Sequence, residues 1–287
     1  MLAITFGILA SLCFAAASLL AQRGLHIVPT PWGAWVTLVT NTVFLLACHL
    51  LLYPQEAIWV PDNLIFVAVG LFVPGLTRVL TFRGICAMGS AITSTIVNTT
   101  PMFSTILAMF LLRERPGPLV LFGVALIVSG LVIISFEGPQ RSWKKVELIF
   151  PFLAALLFSM KDVTVRWGLG GSDSPVLAAA IAAITSTVEI FLVNLYIYRL
   201  KFVLPPRNVI YWFVTSGLCT GGSFLFMFVA LSIERVSIVA PLINSYAVFV
   251  LILTPFMARR IEKVTLRKAA GAGFVIIGIF LISVGRS

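Results

Sequence analysis

The amino-acid sequence predicts an all-α, polytopic membrane protein with ten transmembrane helices arranged as two inverted five-helix repeats. Three observations point there. The 287 residues are 60% hydrophobic and only 10% charged, with a mean hydropathy of +1.09, whereas about a quarter of the residues in an average soluble domain are charged. Apolar runs follow one another with only short breaks rich in Pro, Gly or charge. The second half of the chain echoes the first at a shift of about 145 residues.

A bilayer core of about 30 Å requires about 20 apolar residues as helix. Runs of that size fall at 2–21, 32–52, 64–86, 91–112, 119–136, 146–167, 175–198, 209–231, 236–258 and 266–284. They are roughly twice the length of a barrel strand, and a helix satisfies its own backbone hydrogen bonds in lipid. The first run starts at Leu2 without a basic stretch before it. It is therefore expected to stay as a span rather than act as a cleaved signal.

The repeat spans nearly the whole chain, with units 1–138 and 146–287. FGILASLCFAAASLLAQRG faces IFPFLAALLFSMKDVTVRWG, so that Phe14 meets Phe158 and Gly24 meets Gly168; Pro31 meets Pro175. PDNLI at 61–65 faces PRNVI at 206–210, and SAITSTIVN, ending at Asn98, faces VSIVAPLIN, ending at Asn244. Each unit holds five spans, an odd number, so the second enters the membrane in the opposite sense. An inverted repeat of this kind places a substrate site at mid-depth between the halves.

TPMFSTILAMFLLRERPGPLVLFGVALIVSGLVII, Thr100 to Ile134, resembles the end of an EamA repeat: a Pro-broken span, an LLxER turn, then a Gly-spaced span. In the second half Glu262 stands where Glu114 stands, and Gly271 and Gly278 stand where Gly123 and Gly130 stand. The two copies together resemble the ten-span transporters of the drug/metabolite transporter superfamily. The resemblance implies transport of a metabolite through a central cavity with no bound cofactor, and it brings no universal substrate motif. Residues seven apart share one helix face, so the paired glycines are expected to form packing surfaces that let helices approach closely.

The substrate must then be argued from polar groups inside the spans. Asn98 and Asn244 are repeat equivalents beside Pro101 and Pro241, each of which removes a backbone donor. Either Thr and Ser hydroxyls satisfy the freed carbonyls, or the broken segments line a wet cavity together with Thr99, Ser245 and Tyr246. Four ionisable groups lie deep: Arg78, Lys161, Asp162 and Glu189. Each costs at least about 2.5 kcal/mol at the bilayer centre and is expected to face the bundle interior. Glu189, one turn after Thr185, is a candidate coupling site or amine partner, or a carboxyl kept for packing. Asp162 and Arg166, four apart, are expected to pair along the helix. That leaves Lys161, with Arg78, either as a cavity cation or as a residue that snorkels to the interface.

The net charge of +10 sits in short clusters between apolar runs, a pattern of membrane topology and not of a nucleic-acid-binding face. RSWKK at 141–145 and RRIEKVTLRK at 259–268 place the loops after the odd-numbered spans in the cytoplasm and both termini outside. The four cysteines are scattered without a CxxC, and His26 and His49 stand apart, so no metal site is expected. No phosphate-cradling loop, GxSxG or HExxH is present. The expected function is secondary transport of a small polar metabolite, an amino acid or organic anion, by export across the plasma membrane, with protons as a candidate coupling ion. A drug or lipid translocator is the alternative, and a membrane-embedded enzyme fits less well. The expected partners are a small-molecule substrate and the lipid bilayer; the sequence leaves the oligomeric state open.

Overall fold

The protein is described here from a computed structural model covering residues 2–28, 31–52, 63–88, 90–135, 145–171, 174–197, 199, 203–257 and 265–285. Its regular structure is helical. The first repeat contributes α1 (Leu2–Ile27), α2 (Pro31–Leu52), α3 (Leu64–Gly70), α4 (Thr77–Met88), α5 (Ser90–Val97), α6 (Thr100–Leu111) and α7 (Pro118–Ser135). The second contributes α8 (Ile149–Leu169), α9 (Pro175–Leu192), α10 (Arg207–Ile233), α11 (Val236–Asn244), α12 (Tyr246–Met257) and α13 (Leu266–Gly285). Among the described residues, nine helices are long and apolar enough to cross a membrane if the bent pairs α5–α6 and α11–α12 each count as one. The third span supplies the tenth passage in two pieces.

That break corrects the expectation of one continuous helix over 64–86. Leu71–Leu76 forms a widened turn, and inside it Val73 is extended, with φ −135° and ψ 121°. Val73 precedes Pro74, and the proline ring disfavours a helical conformation for the residue before it. The opened backbone is satisfied from α9, where the Ser186 hydroxyl lies 3.1 Å from the Gly70 carbonyl oxygen and 3.0 Å from that of Val73. The eighth span, the repeat equivalent of the third, runs unbroken as α10 over 27 residues.

The two repeats interleave, and their pairings obey a two-fold relation. α7 packs on α13, the fifth span on the tenth, and α2 packs on α9, the second on the seventh. Thr42 and Thr187, 145 residues apart, share a hydrogen bond of 2.9 Å across the latter contact. The fifth and tenth spans meet through their glycines. A Cβ on Gly130 would lie 2.5 Å from the Gly271 carbonyl oxygen, and one on Gly271 would lie 2.8 Å from that of Gly130. Gly123 and Gly278 make the same reciprocal contact at 2.8 and 2.6 Å. Such self-complementary contacts mark a two-fold axis, here lying between the repeats, and the expected packing role of these faces is what the helices adopt.

Off the axis, α1 packs on α10 and α12, while α8 packs on α4 and α6. The α1–α10 seam is fastened by hydroxyls, with Ser216 donating to the Ala17 carbonyl and Ser223 to the Ala10 carbonyl, each at 2.8 Å. The largest apolar core gathers toward the end of the bundle at which α1 starts. Leu45, Phe66, Ala108, Leu169, Leu231 and Val236 belong to it. This sealed end leaves the space around mid-depth and toward the opposite end to the site.

Candidate functional site

Both fourth-type spans bend where the sequence places its asparagines. α5 ends at Val97 and α6 restarts at Thr100, with the Thr99 amide returning to the Ile96 carbonyl at 3.0 Å. α11 ends at Asn244 and α12 starts at Tyr246, with the Ser245 amide returning to Leu242 at 3.2 Å. These bends turn Asn98, Asn244 and Tyr246 onto the wall of one cavity of about 420 Å³. Local hydroxyls also share in satisfying the bends: Thr99 donates to the Ile96 carbonyl at 2.6 Å, and buried Ser245 donates to the Leu242 carbonyl at 2.5 Å. Thr99 and Ser245 therefore shape the bends, and the wall is formed by their neighbours.

The cavity walls are arranged in repeat-related pairs. Asn98 stands with Asn244 and Phe14 with Phe158, and Thr100 takes the place in one half that Tyr246 takes in the other. Phe14 meets the Tyr246 ring edge-on at 4.8 Å between centroids. Asn98 Nδ2 donates to the Ser135 hydroxyl at 2.6 Å and Asn244 Nδ2 to the Ala240 carbonyl at 2.8 Å. Each amide thereby spends one donor on the protein. Further along, Leu38, Phe213 and Leu25 carry the cavity toward the end where α1 finishes, and Leu25 there is 42% exposed.

At the deep end lie Lys161 and Asp162, both on the cavity wall. Lys161 Nζ is 2.7 Å from Asp162 Oδ1, and the Ser104 hydroxyl donates to Asp162 Oδ2 at 2.8 Å. The expected Asp162–Arg166 pair is replaced by this one. Arg166 instead donates to the carbonyls of Leu231 and Ser232 at 2.7 and 2.8 Å, at the end of α10, where the last helical carbonyls lack intrahelical donors. Lys161, the residue next to Asp162, reaches its carboxylate by curling a long stem around the helix, so it turns inward rather than snorkelling. Its ammonium also lies 3.6 Å from the Met227 sulfur.

The EamA-like transporter family model matches residues 1–136 and again 145–284. The chain belongs to the EamA-like transporter family. It is thus a multi-pass membrane transporter of the drug/metabolite transporter superfamily, a class that takes a small-molecule substrate and resides in the bilayer. A solved crystal structure superposes with a TM-score of 0.78 over 98% of this chain and 96% of the other, at 17% identity, a likeness of fold alone. No curated protein matches the sequence.

Within this transporter the remaining expected residues are scattered. Glu189 and Thr185 line a separate peripheral groove between α9 and the broken third span, beside Leu71, Val188 and Tyr196. Val188 and Tyr196 are exposed on its rim, so the polar stripe does not face the central cavity. The buried face of α9 is set instead by Ser186 and Ile190. Arg78 falls in α4, and its side chain lies outside the described residues, as do Glu262 and the basic stretches 141–144 and 259–264. Sequence reasoning passed over Phe14 and Phe158 as cavity walls, and it gave Asp162 to Arg166 rather than to the cavity. The Phe14–Phe158 correspondence was a usable signal for the first; nothing in the sequence singles out Met227.

Proposed function

We propose that this transporter moves a small polar metabolite, an amino acid or organic anion, across the plasma membrane by alternating access, in the direction of export. The observation that supports the reading is the meeting of Asn98 and Asn244, from the two repeats, on one cavity wall with Lys161. The remaining hydrogen-bonding capacity of the two amides and the ammonium fix a polar or anionic group, while Phe14, Phe158 and Tyr246 take an apolar portion, the usual division of labour in a small-molecule site. Proton coupling belongs to the same proposal. Among the described residues lining the cavity the carboxylate is Asp162, whereas Glu189 stands outside it.

Counterflow into proteoliposomes tests the reading with labelled amino acids, carboxylates and sugar phosphates. Accumulation of any of these against a matching internal pool supports it. Movement of hydrophobic cations or lipid analogues without any of the polar solutes favours the drug or lipid translocator instead. The same proposal puts the loop at 141–145 in the cytoplasm, on the basic residues of RSWKK. A cysteine there that an impermeant maleimide labels in intact cells reverses that orientation.

A further inference from the structure

The charged pair is a point at which the two repeats differ. By the correspondence of Phe14 with Phe158, Lys161 and Asp162 occupy the places of Ala17 and Ser18. The two-fold scaffold does not need these charges, and a buried ion pair is weak support for stability, so chemistry in the cavity is the better account of them. Asp162 is 2% exposed, and both its oxygens are engaged, one by Lys161 and one by Ser104. α3, α5, α6 and α11, which pack on α8, carry no titratable side chain. On α4, Arg83 lies over the Phe150 ring, Arg166 is committed to α10 carbonyls, and Tyr246 lines the cavity.

We propose that Asp162 is the charge-selecting residue of the cavity. It acts as a resident counter-ion that occupies Lys161 until a solute arrives. A solute with only a carboxylate must share one ammonium with Asp162, leaving an uncompensated negative charge where screening is weak. A solute carrying both an ammonium and a carboxylate gives each member of the pair a new partner and leaves the site neutral. Ser104 holds Asp162 in place throughout the exchange. The inference rests on the reading of this cavity as the substrate site.

The test uses the purified full-length protein and ligand-induced thermal shift. The probes are proteinogenic α-amino acids and the matched carboxylates that lack the amino group. The wild type is expected to favour the zwitterion of at least one matched pair by about tenfold or more, the size of one charge-assisted hydrogen bond. Asp162→Asn should abolish or invert that preference, and Asp162→Glu should retain it. Equal binding of both members of every pair by the wild type overturns the proposal, whether or not the Asn variant folds. So does an unchanged preference in a folded Asp162→Asn. Binding of neither set removes the substrate-site reading as well, whereas binding of both with no role for Asp162 removes this inference alone.

Discussion

Glu114, in the turn after α6, reaches across the repeat boundary to the start of α11. Its Oε1 accepts the Val236 amide at 2.8 Å, and its Oε2 accepts the Ser237 amide at 3.0 Å and the Ser237 hydroxyl at 2.7 Å. Arg113, in the left-handed region at φ 54°, ends α6 and aims the carboxylate. Removing Glu114 exposes two helix-initial amides to whatever water reaches them and deletes an anion from the positive end of a helix. Loss of an N-cap costs about 0.5 to 2 kcal/mol, and a charged hydrogen bond contributes about 1.5 to 3, so about 2 kcal/mol is a conservative figure for Glu114→Ala. This contact joins the fourth and ninth spans at the sealed end and should be lost when that end opens. A shift of about 2 kcal/mol then raises the population of the opened form by roughly thirtyfold. Ala108→Cys, in a background lacking the native cysteines, supplies the reporter, because Ala108 is wholly buried in the sealed-end core. The expected result is faster alkylation of that cysteine in the Glu114→Ala background by the same factor. Unchanged alkylation together with a lower melting temperature would show that the contact persists in both forms, and unchanged values of both would refute the energetic argument itself.

Three further outcomes follow from the packing and the cavity. Gly130→Ala should lower the melting temperature by several degrees, since overpacking costs about 1 to 3 kcal/mol and the new methyl would meet a carbonyl oxygen. Gly273→Ala on the same helix pair is the control and should be silent, because a Cβ at Gly273 meets nothing within 4 Å. Asn98→Ala and Asn244→Ala should each weaken binding of a transported solute by about tenfold while leaving expression and melting nearly unchanged; loss of folded protein with unchanged affinity would assign these amides to packing. Lys161→Gln should destabilise by about 3 to 5 kcal/mol by stranding the Asp162 carboxylate. Adding Asp162→Asn should recover most of that loss in thermal melts; additive losses would mean that the two charges do not interact.

The fold was legible because length and hydropathy limit a membrane chain to few solutions, and because the repeat fixes which spans are equivalent. The bends at Asn98 and Asn244 were visible through their prolines and poor helix formers. The break at Val73 was not, although Pro74 and Gly75 stand in the sequence, because the long apolar run around them concealed it. At the site, the spacing rule paired Asp162 with Arg166 by considering one helix alone. The partner was decided by a neighbouring helix, whose terminal carbonyls captured Arg166 and left the carboxylate to Lys161. The position of Glu189 outside the cavity was hidden for a related reason. One turn of spacing from Thr185 fixes a shared face, but which face of α9 looks inward depends on where the third span lies against it.

The departures from two-fold symmetry carry the mechanistic content. A symmetric arrangement of these repeats would leave the cavity equally open, or equally shut, toward both membrane faces. Here the sealed end holds the main apolar core, Arg166 on the end of α10 and Glu114 on the start of α11, while the cavity runs the other way to Leu25. Two kinds of asymmetry are present and they differ in origin. The break in the third span at Pro74 and the residues Lys161 and Asp162 are written into the sequence and belong to one repeat only. The sealed end, by contrast, is made of contacts between spans of the two repeats, such as Glu114 with the start of α11. If the proposed alternating access holds, the second kind would be broken and remade as the ends open and close while the charged pair keeps its place, so the same pair would meet the solute from either side.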